Sequence, residues 1–345
     1  MTLYWLMYLV PIIAIFSNFD IKSSKLQIFL WALFGFYLFF IIGFRHEIGG
    51  DWDVYLFIFN DIAGQPLVWA WDPGYEVLNY ILAKLGFGIY SVNAVCTLIC
   101  IFGLMRFCFK QPLPWLAIAV SVPTILIVVY MGYTRQATAL GFLFLGLSFL
   151  HEGRWKIFLF NIFVGCLFHK TLILTLPILV LGQNTLTLKN WLIISTFIFS
   201  IGLLFIDDFL KLYNMYIVRS WAVESSGAIP RLFLHSIATF TLLFNWSKWK
   251  AYYGNNGPWL GFALISVIAL ILVLFIPTAI DRLAVYLLPL QVVVWSGLPP
   301  LISTSLYRTL LIISILTLYG LVMFVWLNFA NHSFYWVPYD NLFFS

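Results

Sequence analysis

A charged segment at residues 45–55, with the sequence RHEIGGDWDVY, directly follows the apolar run 26–44. Only 9% of the whole chain is charged, and a charge placed at the edge of an apolar span usually serves function. A carboxylate close to an arginine stays ionised and can accept a proton from an attacking hydroxyl group. We therefore predict catalytic chemistry here, with Asp51 as the first candidate for a general base and Arg45 beside it.

Two other interpretations of this segment stay open. Asp51-Trp52-Asp53 resembles the D-x-D pattern with which some glycosyltransferases hold a divalent metal, although so short a pattern is weakly specific. The segment is also typical of a capped, solvated helix start before 54–62. We predict no essential metal or other cofactor, because arginines elsewhere in the chain could neutralise a phosphate ligand.

Several arginines lie at the ends of apolar runs, where they could bind phosphate. The planar guanidinium group donates paired hydrogen bonds to phosphate oxygens, and such a set suits a lipid-linked phosphate or pyrophosphate at the membrane interface. An arginine at a helix end can also simply extend to lipid headgroups, and Arg219 could pair with Glu224. The predicted ligand-binding residues of this set are Arg135, Gln136, Arg219, Arg231 and Arg282.

His169 is the second candidate for a general base. It interrupts the long apolar stretch 155–181, with Lys170 and Thr171 after it and Pro177 beyond. A lone histidine in an apolar helix is often only a packing residue, and that alternative stays open.

The composition determines which elements must position these residues. The chain is 63% hydrophobic, with a mean hydropathy of +1.00, and a bilayer requires spanning segments to pair their own backbone groups. We predict an all-α polytopic membrane protein with about 11–12 transmembrane helices, in a single domain over 1–345. The predicted spans are 2–16, 26–44, 89–108, 113–131, 135–150, 155–168, 190–206, 231–246, 258–276, 282–297 and 308–328.

The interrupted stretch 155–181 decides how many times the chain crosses. It could be one long helix or two elements that meet at His169 and Lys170, and we favour two. The second element, 171–181, is short for a full crossing.

The basic residues indicate orientation, since they accumulate in cytoplasmic loops. Alternate connections, beginning after the first helix, hold ten of the 18 basic residues and only two of the 13 acidic ones. We therefore predict an outer N-terminus, outer loops at 45–88 and 207–230, and an outer tail at 329–345 whose aromatic residues form an interface belt. The net charge of +5 does not indicate nucleic-acid binding, because the basic residues form no runs.

The chain resembles the EpsG family of exopolysaccharide polymerases, which is related to the Wzy-type O-antigen polymerases. That family has an Arg-x-x-x-Gly-x-Asp-x-x-x-Tyr signature after its second helix, which here runs from Arg45 to Tyr55. Two departures are Gly50, where the family often has Thr, and Thr171, where it often has Ser. The other short matches, in order along the chain, are Asp72-Pro73-Gly74-Tyr75, Arg135-Gln136, Phe168-His169-Lys170-Thr171, Arg282 with Tyr286, and Trp336-Val337-Pro338-Tyr339.

The resemblance implies a GT-C-like membrane glycosyltransferase that joins oligosaccharide repeat units carried on undecaprenyl pyrophosphate. It implies the outer face of the bacterial cytoplasmic (inner) membrane as the place of reaction, lipid-linked donor and acceptor glycans as partners, and a chain-length regulator. Tyr55 joins the predicted substrate-binding residues through the signature. Alternatives are a transferase that adds single sugars from a polyprenyl-phosphate sugar, a flippase for lipid-linked glycans and, more remotely, a membrane acyltransferase.

Overall fold

The structure, a computed structural model, describes residues 1–17, 24–65, 72–178, 228–254 and 257–343, together with 187, 192, 195 and 196. Within these residues every regular element is helical, and Arg45 and Asn341 form an isolated antiparallel bridge. This confirms the predicted all-α class. We number the helices α1 (Thr2–Phe16), α2 (Lys25–Gly43), α3 (Trp52–Gly64), α4 (Pro73–Lys84), α5 (Ile89–Phe109), α6 (Pro114–Gly132), α7 (Thr134–Leu150), α8 (Trp155–Phe168), α9 (Ala228–Phe244), α10 (Trp246–Tyr253), α11 (Gly257–Leu272), α12 (Pro277–Ala284), α13 (Leu288–Gly297) and α14 (Ser305–Phe329).

The apolar runs predicted most of these helices to within a few residues. Five helical stretches in the described part are long and apolar enough to cross a membrane, and four shorter apolar helices accompany them. The chain is therefore a polytopic membrane protein. Most of the predicted span 190–206 and nearly all of the outer loop 207–230, including Arg219, lie outside the described residues.

Helix α6 departs from a regular α-helix in its second half. Residues Val122–Val129 form a π-helical segment, with Pro123 at its start. Proline lacks the N–H group of the ordinary helical ladder, and a widened turn is one way to accommodate it. The apolar pattern alone predicted an uninterrupted helix here.

The chain breaks after Phe168, as favoured above. His169 has an extended backbone, with φ −157° and ψ 107°, and a 3-10 helix follows at Lys170–Thr175. The stretch 155–181 therefore contains two elements, although its end from 179 onward lies outside the described residues.

The chain divides into two compact units, of which the first comprises Met1–Ile173 and Trp295–Ser345. Within this unit α7 packs against α5 and α8, α2 packs against α5, and α4 contacts α3 and α8. Helix α7 begins beside the loops predicted to be outside and ends beside those predicted to be cytoplasmic. Within the first unit, the loop before α7 and the loop after it therefore lie at opposite ends of this helix, about 25 Å apart from the rise of 17 residues.

The aromatic residues of the C-terminal tail were predicted to form a belt at the membrane interface, and Trp336 does not fit that prediction. Trp336 is only 3% exposed, its indole N–H donates to the carbonyl of Ile127, and its own carbonyl accepts from Tyr4. Backbone N–H groups of His46 and Gly49 donate to tail carbonyls. Packing against α1 and α6 removes this indole from the interface, so at this position the tail is part of the core.

The second unit comprises Leu174–Val294. In its described part α9 packs against α11 and α12. Helix α10 was expected only as a cytoplasmic loop. His235 on α9 is buried and shares a hydrogen bond of 2.9 Å with the Ala284 carbonyl, which is a packing role.

Candidate functional site

Arg45 is a fully enclosed arginine at the end of α2. It is 2% exposed, and its guanidinium group donates to three backbone carbonyls and one hydroxyl. These acceptors are Ile42 O at 2.8 Å, Ile48 O at 3.3 Å, Met131 O at 2.9 Å and Thr134 Oγ1 at 2.9 Å. The contacts tie the 45–51 loop to the α6–α7 turn, so they favour a positioning role over direct contact with substrate.

Gly49 makes this close approach possible. Its φ is +105°, and an added Cβ would lie 2.4 Å from the Met131 carbonyl oxygen. A side chain here would meet both backbone strain and a steric clash. At Gly50 the nearest atom to an added Cβ is a Tyr335 ring carbon at 3.6 Å, which is ordinary contact. The departure from Thr at position 50 is therefore sterically neutral.

Arg135 and Asp72 form the central ion pair of this end of the first unit. The Nη1 atom of Arg135 lies 3.0 Å from Asp72 Oδ2, and the two side chains are 21% and 8% exposed. The other carboxylate oxygen of Asp72 accepts from the backbone N–H of Lys170 at 3.3 Å. One carboxylate therefore joins the start of α7, the start of α4 and the break after α8.

The local sequence explains how Asp72 reaches this position. Pro73 starts α4, where its missing N–H group costs nothing. At Gly74 an added Cβ would lie 2.9 Å from Leu167 Cβ, so only glycine lets α4 approach the end of α8 this closely. The motif Asp72-Pro73-Gly74 thus places the Asp72 carboxylate next to the break after α8.

Tyr55 and Asp51 lie beside this ion pair. Tyr55 is 5% exposed, its hydroxyl oxygen accepts from the Arg135 backbone N–H at 3.5 Å, and its ring centroid lies 5.9 Å from the guanidinium group. Burial and, to a smaller extent, the charge of the Asp51 carboxylate together raise the pKa of Tyr55 to about 12, against a lowering effect of Arg135. Asp51 stands at the N-cap of α3 and is half-buried, close enough to act electrostatically on the Tyr55 hydroxyl.

The carboxyl group of Asp72 experiences opposing effects. Burial raises its pKa, whereas Arg135 and the Lys170 N–H group lower it. The carboxylate is therefore held by its two partners against a desolvation cost, and a change in either partner would alter its charge.

His169 lies at the break itself, next to the residue whose N–H binds Asp72. Its Nδ1 atom shares a hydrogen bond of 2.6 Å with the Thr171 hydroxyl. Because serine has the same hydroxyl, threonine at 171 preserves this contact.

In the second unit, Arg231 pairs with Asp281. Arg231 Nη1 lies 2.6 Å from Asp281 Oδ1, with side chains 11% and 18% exposed. The neighbouring Arg282 is exposed on α12.

The structure therefore brings together Arg45, Asp51, Tyr55, Arg135 and His169 at one end of the first unit. Gln136 follows at the start of α7 and is 7% exposed. The structure adds Asp72 to this candidate set through its contacts with Arg135 and Lys170, whereas the sequence predicted only a turn and a motif at this residue. Its signal was an acidic residue before Pro-Gly, followed by an amphipathic helix.

No group of three or more metal-ligating side chains occurs in the part of the chain that the structure describes. Asp53, the second acid of the D-x-D pattern, is exposed on α3. The geometry instead offers cations, a hydrogen-bonded histidine, the buried carboxylate of Asp72 and the half-buried carboxylate of Asp51. Such a set is suited to binding a phosphate group and moving a proton.

The profile of the EpsG family matches residues 28–341, which is most of the chain. The protein therefore belongs to the EpsG family, and this membership places it in polysaccharide biosynthesis. Comparisons with curated proteins and with solved structures found no match.

Proposed function

We propose that this protein is a membrane glycosyltransferase that polymerises oligosaccharide repeats carried on undecaprenyl pyrophosphate. The reaction would take place on the outer face of the bacterial cytoplasmic membrane, between a lipid-linked donor and a lipid-linked acceptor. Family membership supports the polymerase class, and the charge pattern of the loops supports the membrane side.

One observation carries the assignment of the site. The Asp72 carboxylate links Arg135 to the backbone at the His169 break, so three separate segments converge within hydrogen-bond distance. A cation, a histidine and two carboxylates thereby gather at the end of α7 predicted to face outward. That set can bind an anionic leaving group and accept a proton at neighbouring points.

The proposed reaction is a glycosyl transfer. An acceptor hydroxyl oxygen bonds to the anomeric carbon of the donor while the bond from that carbon to the pyrophosphate oxygen breaks. The hydroxyl proton passes to a carboxylate or imidazole of the protein, and the electron pair leaves with the lipid pyrophosphate. No nucleotide is consumed, because the sugar–pyrophosphate bond supplies the free energy.

Arg135 is assigned to the donor pyrophosphate. Its guanidinium group is partly exposed while one edge is held by Asp72, which orients it for a bidentate contact. Arg231 and Arg282 are proposed as further phosphate ligands. This assignment rests only on their positive charge and on the membrane side predicted for them. Gln136, Arg219 and Tyr55 remain proposed substrate-binding residues.

Asp51 remains the first candidate for the general base and His169 the second. Asp51 is half-buried and acts on Tyr55 beside Arg135, whereas His169 is oriented by Thr171. Arg45 positions Asp51, because its hydrogen bonds hold the intervening loop against Met131.

The test is polymer synthesis by purified full-length protein in detergent with lipid-linked repeat units, read as a ladder on a gel. The native protein should yield a ladder, and Arg135→Ala should yield none while remaining folded. Arg135→Lys should recover little activity, since a lysine makes no bidentate contact. A matched control is Arg308→Ala, because among the described residues Arg308 donates only to the carbonyl of Ile302. A full ladder from Arg135→Ala would overturn the proposed role.

The same assay separates the other functions. A product one sugar longer than the donor would indicate single-sugar transfer. Absence of any product, together with movement of the lipid-linked glycan across vesicles, would indicate a flippase. A ladder made in detergent, where there is no compartment to cross, excludes transport as the sole activity.

A further inference from the structure

A second cluster of charges lies at the opposite end of α5 and α7 from Arg135. Glu152 accepts from Arg106 at 3.3 Å and from Lys110, and its other oxygen lies 3.6 Å from Arg154. Three cations thus surround one carboxylate, which leaves two positive charges in excess. Positive charge of this kind favours binding of an anion.

Contacts with neighbouring residues hold the side chains of this cluster in place. The guanidinium groups of Arg106 and Arg154 lie 4.4 and 5.0 Å from the ring centroid of Phe149, so cation–π contacts hold both. Lys110 also donates to the Ser148 carbonyl at 3.3 Å. The hydrogen bond from Lys110 lowers the pKa of Glu152, so the carboxylate stays charged at neutral pH.

Unsatisfied donor capacity remains in this cluster. Nε of Arg106 has no hydrogen-bond acceptor among the described residues, although polar groups out of contact with water are seldom left unpaired. The side chains of Arg106 and Arg154 are 32% and 54% exposed. A ligand can therefore reach the exposed parts of these two side chains, although not Arg106 Nε itself, which is buried.

An apolar stripe leads to the cluster along α5. Leu98, Phe102 and Arg106 follow one another at intervals of four residues and so share one helix face, and the two apolar side chains are 57% and 58% exposed. The helical rise puts Phe102 about 6 Å and Leu98 about 12 Å from Arg106 along the helix axis, distances that suit the upper part of an acyl chain. Charge at one end and exposed apolar surface toward the helix middle match the two parts of a phospholipid.

We infer that Arg106, Lys110 and Arg154 bind the phosphate of an anionic glycerophospholipid whose acyl chain lies along Leu98 and Phe102. This site is independent of the proposed polymerase reaction and lies at the other end of the same helices. Binding would add a negative charge to a cluster with an excess of positive charge.

The experiment is native mass spectrometry of the full-length protein in detergent, with phosphatidylglycerol and phosphatidylcholine of equal chain length. The native protein should retain phosphatidylglycerol preferentially. Each basic side chain near an anionic lipid contributes roughly a fivefold preference, so Arg106→Gln with Arg154→Gln should lower the preference by about 25-fold. The matched control is Arg308→Gln, which removes a cation that makes no ion pair in the described structure and should change nothing.

A second variant tests the apolar part and does not depend on the folding of the double variant. Phe102→Gln, at an exposed position, should reduce retention of both lipids and leave the preference between them unchanged. Equal retention of the two lipids by the native protein would overturn the inference, as would an unchanged preference in the folded double variant. Displacement of the lipid by inorganic phosphate at equal concentration would show an ion site without a lipid chain and would also overturn it.

Discussion

The ion pair between Arg135 and Asp72 allows a quantitative prediction. Its charged atoms are 3.0 Å apart and its side chains are 21% and 8% exposed. At an effective dielectric constant of 20, two unit charges at this distance attract by about 5.5 kcal/mol. Desolvation offsets much of this attraction, and we expect a net coupling free energy of about 2 kcal/mol.

The perturbation is a double-mutant cycle with Asp72→Asn and Arg135→Gln. Asparagine keeps an oxygen for the Lys170 N–H group but removes the charge opposite Arg135, at a cost of about 2 kcal/mol in the free energy of unfolding. Arg135→Gln leaves the buried carboxylate without its cation and should cost about 3 kcal/mol. The double variant should cost about 2 kcal/mol less than the sum of the single changes.

The assay is reversible unfolding of the full-length protein in mixed micelles, followed by circular dichroism. Asp61→Asn is the matched control, since Asp61 is exposed and, within the described part of the chain, accepts only from Gln65. It should change the free energy of unfolding by less than about 0.5 kcal/mol. The reasoning would be refuted if the loss of unfolding free energy in the double variant equalled the sum of the two single losses to within about 0.5 kcal/mol. That result would mean that the two charges do not interact.

The same variants separate positioning from direct contact with the donor. If Asp72 orients Arg135, Asp72→Asn should slow polymer formation by about tenfold, since misplacing a reacting group is costly. Arg135→Gln should abolish polymer formation. Equal activities of these two variants would contradict the assigned roles.

Three further predictions follow from close contacts. Gly49→Ala should lower the free energy of unfolding by several kcal/mol, through backbone strain and the close contact with a carbonyl oxygen. Its control, Gly50→Ala, should be tolerated. The yield of folded protein measures both variants, and equal yields would contradict the role given to Gly49. Thr171→Ser should preserve activity and Thr171→Val should lower it about tenfold by releasing the His169 ring, as measured by the initial rate of polymer formation. Arg45→Lys should lower stability by about 2 kcal/mol, because one ammonium group cannot reach all four acceptors; an unchanged denaturation midpoint would contradict this.

The fold class and most helix boundaries could be predicted from the order of apolar runs. Helix α5 was predicted over 89–108 and occurs over Ile89–Phe109, because each spanning segment must pair its own backbone groups and so depends on local sequence. The π segment after Pro123 and the short helix α10 were missed. Local geometry and packing produce these two elements, and hydropathy carries no information about either.

The sequence singled out several residues that the structure places near one another, but it did not predict their pairings. Arg135, Asp51 and His169 were singled out by charge in an apolar setting, and the structure places them at one end of the first unit. The role of Asp72 was not predicted, since its partners are 63 and 98 residues away in sequence. The burial of Arg45 was also unforeseen, because the same residue type at a helix end often extends into solvent.

The sequence by itself determined that the chain is a helical membrane protein, where most of the described helices begin and end, and which family it belongs to. These properties follow from hydrophobic run length and short motifs, which are local along the chain. Only the tertiary structure decided that Arg45 clamps the backbone while Arg135 stays partly accessible, and that Asp72 bridges α7 to the break at His169. Those assignments depend on which helix ends approach within about 3 Å of each other, and this is decided by packing of distant segments at positions such as Gly49 and Gly74.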